Sequence, residues 1–180
     1  MNRRRMMMLQ ETDNKLYLYN YGDECIDVTG GWRNGPYIRG NEQNRSAIKN
    51  ETEMILIAKH YNGASTTSMC TVNPIDLSEY RYIYVDCDYS TSNTNCQSSF
   101  RLSDKSNDAD TTAKALGNFV TLFLANANSF FFSGIERVEI PHETLTKPTA
   151  SYLNFIADTW GANIGEYSAK FVIRRVWLEK

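Results

Sequence analysis

Tyr82, Tyr84, Asp86 and Asp88 alternate with Ile83, Val85 and Cys87, and strand side chains point to opposite faces with a period of two. The first set therefore shares one face, with two phenols beside two carboxylates. That set suits two chemistries. Rings and carboxylates together bind sugars, whose C–H faces pack on aromatic surfaces and whose hydroxyls donate to carboxylates. Two carboxylates held roughly 5–9 Å apart also hydrolyse glycosidic bonds, and Asp86 with Asp88 is the best pair in the chain for that work. Beyond the polar run Ser90 to Asn95, a second alternation through Cys96, Ser98, Phe100 and Leu102 puts Gln97 and Arg101 on the outward parity. A hairpin turning at Thr91 and Ser92 sets Ile83 opposite Phe100, Val85 opposite Ser98 and Cys87 opposite Cys96 inside. Outside, it sets Tyr82 opposite Arg101, Tyr84 opposite Ser99 and Asp86 opposite Gln97. Tyr82, Tyr84, Asp86, Gln97 and Arg101 then form the expected carbohydrate site. Trp32 and Trp160, each beside glycine in an expected loop, are alternative platforms, although core packing competes for Trp32. A further strand, the N-terminal segment or a second subunit lying over the hairpin competes with sugar binding.

Other catalytic centres lack their residues. A Ser or Cys nucleophile needs a histidine within reach, and the chain holds only His60 and His142, neither in a nucleophile context. No Gly-rich phosphate loop, His-Glu-x-x-His or Cys-x-x-Cys occurs. No enzymatic activity and no cofactor are expected. In Asp104-Lys105-Ser106-Asn107-Asp108-Ala109-Asp110 oxygen side chains fall at alternate positions, with Asp104, Asp108 and Asp110 as the carboxylates, as a calcium loop needs, but Ala109 replaces the turn glycine and Ala115 the bidentate glutamate. An EF-hand is excluded, and a looser structural calcium site on those three aspartates competes with a solvated loop.

The elements that must position these residues are short. The chain has 180 residues, 42% of them hydrophobic, with eleven Tyr and eight Phe, a composition that suits one β-rich domain with a proper core. A net charge of -2 gives no pull toward nucleic acid or an anionic membrane surface, and Arg3-Arg4-Arg5 and Arg174-Arg175 form no basic stripe. The apolar run Met54 to Ala58 is too short to span a bilayer. Met6 to Leu9 is too short for a secretion signal, so synthesis in the cytoplasm is expected. The four cysteines then read as buried thiols, with a Cys87–Cys96 cross-strand disulfide open after release into an oxidising medium.

Residues 1 to 14 read as a tail or short helix, and residues 15 to 180 as the domain. Strands are expected at Leu16 to Tyr19, Cys25 to Val28, Ser46 to Glu53, Met54 to His60, Thr66 to Val72, the two arms above, Phe119 to Leu124, Phe130 to Phe132, Ile135 to Ile140, Tyr152 to Ala157 and Lys170 to Glu179. In the last, Phe171 and Ile173 share one parity and Val176 and Leu178 the other. A bulge at Arg174-Arg175 brings all four to the core. Many short strands without helical periodicity predict an all-β antiparallel sandwich or barrel.

Ile75-Asp76-Leu77-Ser78-Glu79-Tyr80 followed by Ile83 and Val85, with Ile173 to Glu179 closing the chain, resembles jelly-roll domains of the galactose-binding-like and carbohydrate-binding-module type. The Leu16-to-Trp32 lead-in and the style of the chain also resemble virion or tail-associated proteins of phages and prophages. The resemblance covers residues 15 to 180. It implies an antiparallel jelly-roll β-sandwich, a non-catalytic role recognising a carbohydrate or a partner virion protein, homo-oligomerisation, and in some members a structural calcium ion. No ligand residue carries over from it.

Overall fold

A computed structural model describes residues 14–35, 40, 42–60, 63–104, 119–126, 130–160 and 166–180. Twelve strands are found there: β1 (Lys15–Asn20), β2 (Asp23–Glu24), β3 (Trp32–Asn34), β4 (Arg45–Lys49), β5 (Met54–His60), β6 (Ser65–Thr71), β7 (Tyr82–Thr91), β8 (Cys96–Ser103), β9 (Phe119–Ala125), β10 (Phe130–Glu139), β11 (Tyr152–Thr159) and β12 (Tyr167–Glu179). They form two antiparallel sheets packed as a jelly-roll sandwich. One runs β10-β7-β12-β1-β2, with β5 on the other half of β12 and β4 outside β5; the second runs β3-β6-β11-β8-β9.

The strand β12 organises the larger sheet. Ala169 to Glu179 pair with β7, while Tyr167 to Ile173 pair with β5 on the other side and Arg175 to Glu179 pair with β1. The register shifts between Ile173 and Arg175, and this bulge buries Phe171, Ile173, Val176 and Leu178 together in the core, as their change of parity requires. Aromatic rings fill the space between the sheets. Phe155 stacks on Trp32 and Phe100 at centroid distances of 5.5 and 4.6 Å and meets Phe171 edge-on at 5.2 Å, the geometries that ring quadrupoles favour.

The expected hairpin is absent. β7 lies in the larger sheet between β10 and β12, and β8 lies in the smaller one between β11 and β9. Residues 92–95 therefore arch from one sheet to the other. Ile83, Val85 and Cys87 and their counterparts Cys96, Phe100 and Leu102 do all point into the core, but from opposite sides of it. Alternation reports which side chains are inward, and both arrangements satisfy it equally. Cys87 and Cys96 are free buried thiols in different sheets, paired across strands with Ile173 and Thr159.

Three smaller differences have local causes. Cys25 to Val28 is no strand. Ile26–Thr29 forms one helical turn, α1, in which the Thr29 hydroxyl donates to the Cys25 carbonyl at 2.9 Å and Gly30 closes the turn at φ 65°. β4 ends at Lys49 because the Asn50 side chain accepts from the backbone N–H of Thr52 and of Glu53, both at 2.8 Å, and folds an Asx turn. Phe130 to Glu139 is a single strand, in which Ile135 faces outward and is 52% exposed. Residues 1–13 of the expected tail lie outside the described residues.

Candidate functional site

The register of β10, β7, β12 and β1 lays the outward side chains of the larger sheet in rows. One row reads Glu139, Tyr82, Glu179 and Lys15; the next reads Arg137, Tyr84, Trp177 and Tyr17; a third brings Ile135, Asp86 and Arg175 together; and a fourth holds Ser133, Asp88 and Val172. Tyr84 stacks on Trp177 at 4.9 Å with their planes 6° apart, and Trp177 meets Tyr17 at 5.8 Å. Tyr82 lies edge-on to Tyr84 at 6.4 Å, and the Arg137 guanidinium sits 3.7 Å from its ring centroid. Cross-strand aromatic pairs of this kind hold each other upright on the sheet. Trp177, only 5% exposed, is the foundation of the row, and the half-exposed Tyr17, Tyr82 and Tyr84 present its accessible surface.

Hydrogen bonds lock the row. Glu179 accepts from Lys15 Nζ at 2.8 Å and from the Trp177 indole at 3.3 Å, and also from the Tyr84 hydroxyl. Its carboxyl is held below the usual range, chiefly by the bond from Lys15, and the same bond raises the Lys15 ammonium. Desolvation pushes up the Tyr84 phenol, reinforced by Glu179.

Beside the row lies an ion cluster made by the bulge. Arg174 donates to both oxygens of Asp88 at 2.8 and 2.9 Å and through Nε to Asp86 Oδ1 at 3.0 Å. Arg175 reaches Asp86 Oδ2 through Nε at 2.9 Å and Nη2 at 2.7 Å. The bonds from Arg174 hold the Asp88 carboxyl below the ordinary carboxylate range. A glycosidase acid needs its pKa raised so that it carries a proton, so Asp88 has the wrong electrostatics for that role. Both carboxylates serve here to brace the bulge.

The smaller sheet's outer face differs. Gln97 and Arg101 project there, on the opposite side of the sandwich from Tyr82, Tyr84 and Asp86, so the expected five-residue site is divided. Their outward neighbours Thr66, Ser68, Ser99, Asn154 and Ile156 are between 0% and 1% exposed, so the middle of this face is covered, while Phe119 and Leu124 on its β9 edge are 43% and 48% exposed. Trp32 is a core residue at 3% exposure, its indole donating to the Leu18 carbonyl. Trp160 is half-buried at one end of the sandwich, where its backbone N–H donates to Asn95 and its carbonyl accepts from the Tyr167 hydroxyl. Asp104 follows β8; Asp108 and Asp110 of the expected calcium loop lie outside the described residues. Among the described residues no three His, Cys, Asp or Glu side chains cluster as metal ligands would.

At the same end, a cleft of about 520 Å³ is lined by Lys59, His60, Ser92, Glu166, Tyr167 and Ser168. His60 stacks on Tyr167 at 4.2 Å, and both are buried. His142 lies elsewhere, its Nε2 hydrogen-bonded with the Tyr80 carbonyl at 2.8 Å. The sequence reading missed Tyr17, Arg137, Trp177 and Glu179 as site residues. The outward parity of Trp177 and Glu179 was available from the bulge, but only the pairing of β12 and β10 with β7 carries them to Tyr84.

No protein-family model matches the sequence, and no curated protein matches it. Solved structures do match the fold. An agarase aligns with a TM-score of 0.50 at 8% identity over 93% of this chain, which spans 25% of the agarase chain. The cleaved adhesin domain of Lys-gingipain from Porphyromonas gingivalis aligns at 0.47 and 11% identity, over 91% of this chain and 97% of its own. A family 11 carbohydrate-binding module from Clostridium thermocellum, solved with a mixed-linked tetrasaccharide, aligns at 0.46 and 15% identity, over 92% and 95%.

Proposed function

We propose that this protein is a non-catalytic binding module that holds a carbohydrate chain on the outer face of its larger sheet. The observation that carries this reading is the row Arg137, Tyr84, Trp177 and Tyr17. It joins half-exposed rings to hydrogen-bonding groups on a sheet surface that the neighbouring ion cluster stiffens, and this is the combination sugars require. On this face tyrosine rings reach solvent beside charged groups, whereas the central outward side chains of the other face are buried. Hydrolysis by Asp86 and Asp88 is the weaker reading, because guanidinium groups already occupy both carboxylates. The proposed setting is a phage or prophage particle. There the module, made in the cytoplasm, acts as a tail or virion component, assembled as a homo-oligomer or against another virion protein. Support for that setting comes from the likeness of the lead-in through Trp32 to such proteins.

A glycan array probed with the folded protein tests the binding role. Tyr84→Ala is expected to weaken the strongest response by about tenfold or more, as loss of a central aromatic contact does. An empty array, or a folded Tyr84→Ala protein with full affinity, would contradict it. Sedimentation with purified particles and light scattering test the setting and the oligomer.

A further inference from the structure

We infer that the carbohydrate held on this face is an extended polyanion bearing carboxylate or sulfate groups, and that Arg137 and Lys170 select it. The inference rests on the carbohydrate reading above and adds the ligand's charge and length.

Every carboxylate facing outward from β10, β7 and β12 already has a cation. Glu139 is held by Arg81 at 3.1 Å, Glu179 by Lys15 at 2.8 Å, Asp88 by Arg174, and Asp86 by Arg174 and Arg175. These pairs consume those four cations as well. Arg137 and Lys170 remain, both exposed and neither in a direct ion pair among the described residues, Lys170 acting on Asp88 only through its field. The Arg137 guanidinium rests 3.7 Å from the Tyr82 ring centroid and Tyr84 takes one of its donors, which leaves the rest of the fork for a carboxylate or sulfate. The two cations cannot serve one small anion. Arg137 pairs with Tyr84 and Lys170 with Ser90, so they stand roughly 20 Å apart along β7 at the usual strand rise. A ligand touching both is a chain, and it crosses the aromatic row and the ion cluster between them. A neutral chain would gain from the rings but would leave both cations unused. The whole molecule is net negative, so attraction of a polyanion is local to this face and weakens with salt.

Titration calorimetry on the full chain decides the matter with paired probes: polygalacturonate against methyl-esterified pectin, and a sulfated galactan against its desulfated form. At least one anionic member is expected to bind about tenfold or more tightly than its neutral counterpart, with affinity falling as salt rises. Lys170→Gln, outside the aromatic row, is expected to cost about tenfold toward the anionic chain, the worth of one charge-assisted bond, and little toward the neutral one; Arg137→Gln, within the row, is expected to weaken both chains and the anionic one by about tenfold more. Both sites are exposed, so an unchanged melting temperature separates lost recognition from lost fold. The carboxylate and sulfate arms tell the two anion sources apart. Equal binding of charged and neutral chains would overturn the inference and leave the carbohydrate reading intact. Failure to bind any of the four would overturn both. Duplex DNA that binds as tightly, with the same losses in the two variants, would show a general polyanion surface and overturn the inference.

Discussion

The two outer faces of the sandwich obey the same strand period and are put to opposite uses. On the larger sheet, long side chains support one another: rings stack across β7, β12 and β1, two arginines bind two aspartates over the bulge, and Phe131 and Ile135 at the margin stay 68% and 52% exposed. On the smaller sheet, Thr66, Ser68, Ser99 and Asn154 are short, and with Ile156 they are buried almost completely. Outward parity is therefore no guide to accessibility. A ladder of large, mutually bonded side chains stands clear of its sheet, whereas a carpet of small ones permits close packing above it.

The comparison can be broken most severely from beneath. Phe155 touches Trp32, Phe100 and Phe171 in the core between the two sheets, so Phe155→Ala is expected to cost about 3–5 kcal/mol in a urea melt. Sheets that shared little core would lose under about 1 kcal/mol. The next test sets the faces against each other with one chemical change. Ile156→Ala, on the closed face, is expected to cost about 2–4 kcal/mol, and Ile135→Ala, on the open one, no more than about 0.5 kcal/mol. Equal losses would remove the distinction between the faces.

How far the sequence could see this distinction follows from what alternation encodes. Ile83, Val85, Cys87, Phe100 and Leu102 were placed inward correctly, and the change of parity around Arg174-Arg175 pointed to the bulge that is present. The strands' partners were another matter. The polar run after Tyr89 serves equally as a tight turn or as an arch between sheets, and the choice depends on β10 and β12, which lie some forty and eighty residues further on. That one ambiguity separated Gln97 and Arg101 from Tyr82 and Tyr84, and it hid Trp177 and Arg137, whose place beside Tyr84 is a product of long-range pairing. Trp32 was open to two readings, display at a rim or core packing, and core packing is the one that holds. Flanking glycines suggested display, but its hydrogen bond to Leu18 and its stack on Phe155 draw it inside.

Smaller effects sharpen the description of the open face. Arg174→Met is expected to cost about 1–2 kcal/mol in the same melt, between the values for exposed and fully buried ion pairs, because the guanidinium is a quarter exposed. No loss at all would mean that the cluster does not brace the bulge. The pH dependence is the gentlest probe. The carboxyl groups of Asp88 and Glu179 are lowered in the fold from ordinary values of 3.8 and 4.5, so their contribution is complete above those values and is lost as pH falls through the lower folded values. Melting temperature should therefore decline below about pH 4, and Asp88→Asn should flatten part of that decline. An identical acid limb in that variant would place the sensitive groups elsewhere.

The most direct measurement is a map of amide and indole resonances during titration with a bound oligosaccharide. The largest shifts are expected at Tyr82, Tyr84, Arg137 and the Trp177 indole, with Ser99, Asn154 and Ile156 unmoved. Shifts centred on Lys59, Tyr167 and Ser168 in the end cleft, or on the outward row of the smaller sheet, would contradict the assignment of the open face as the binding surface.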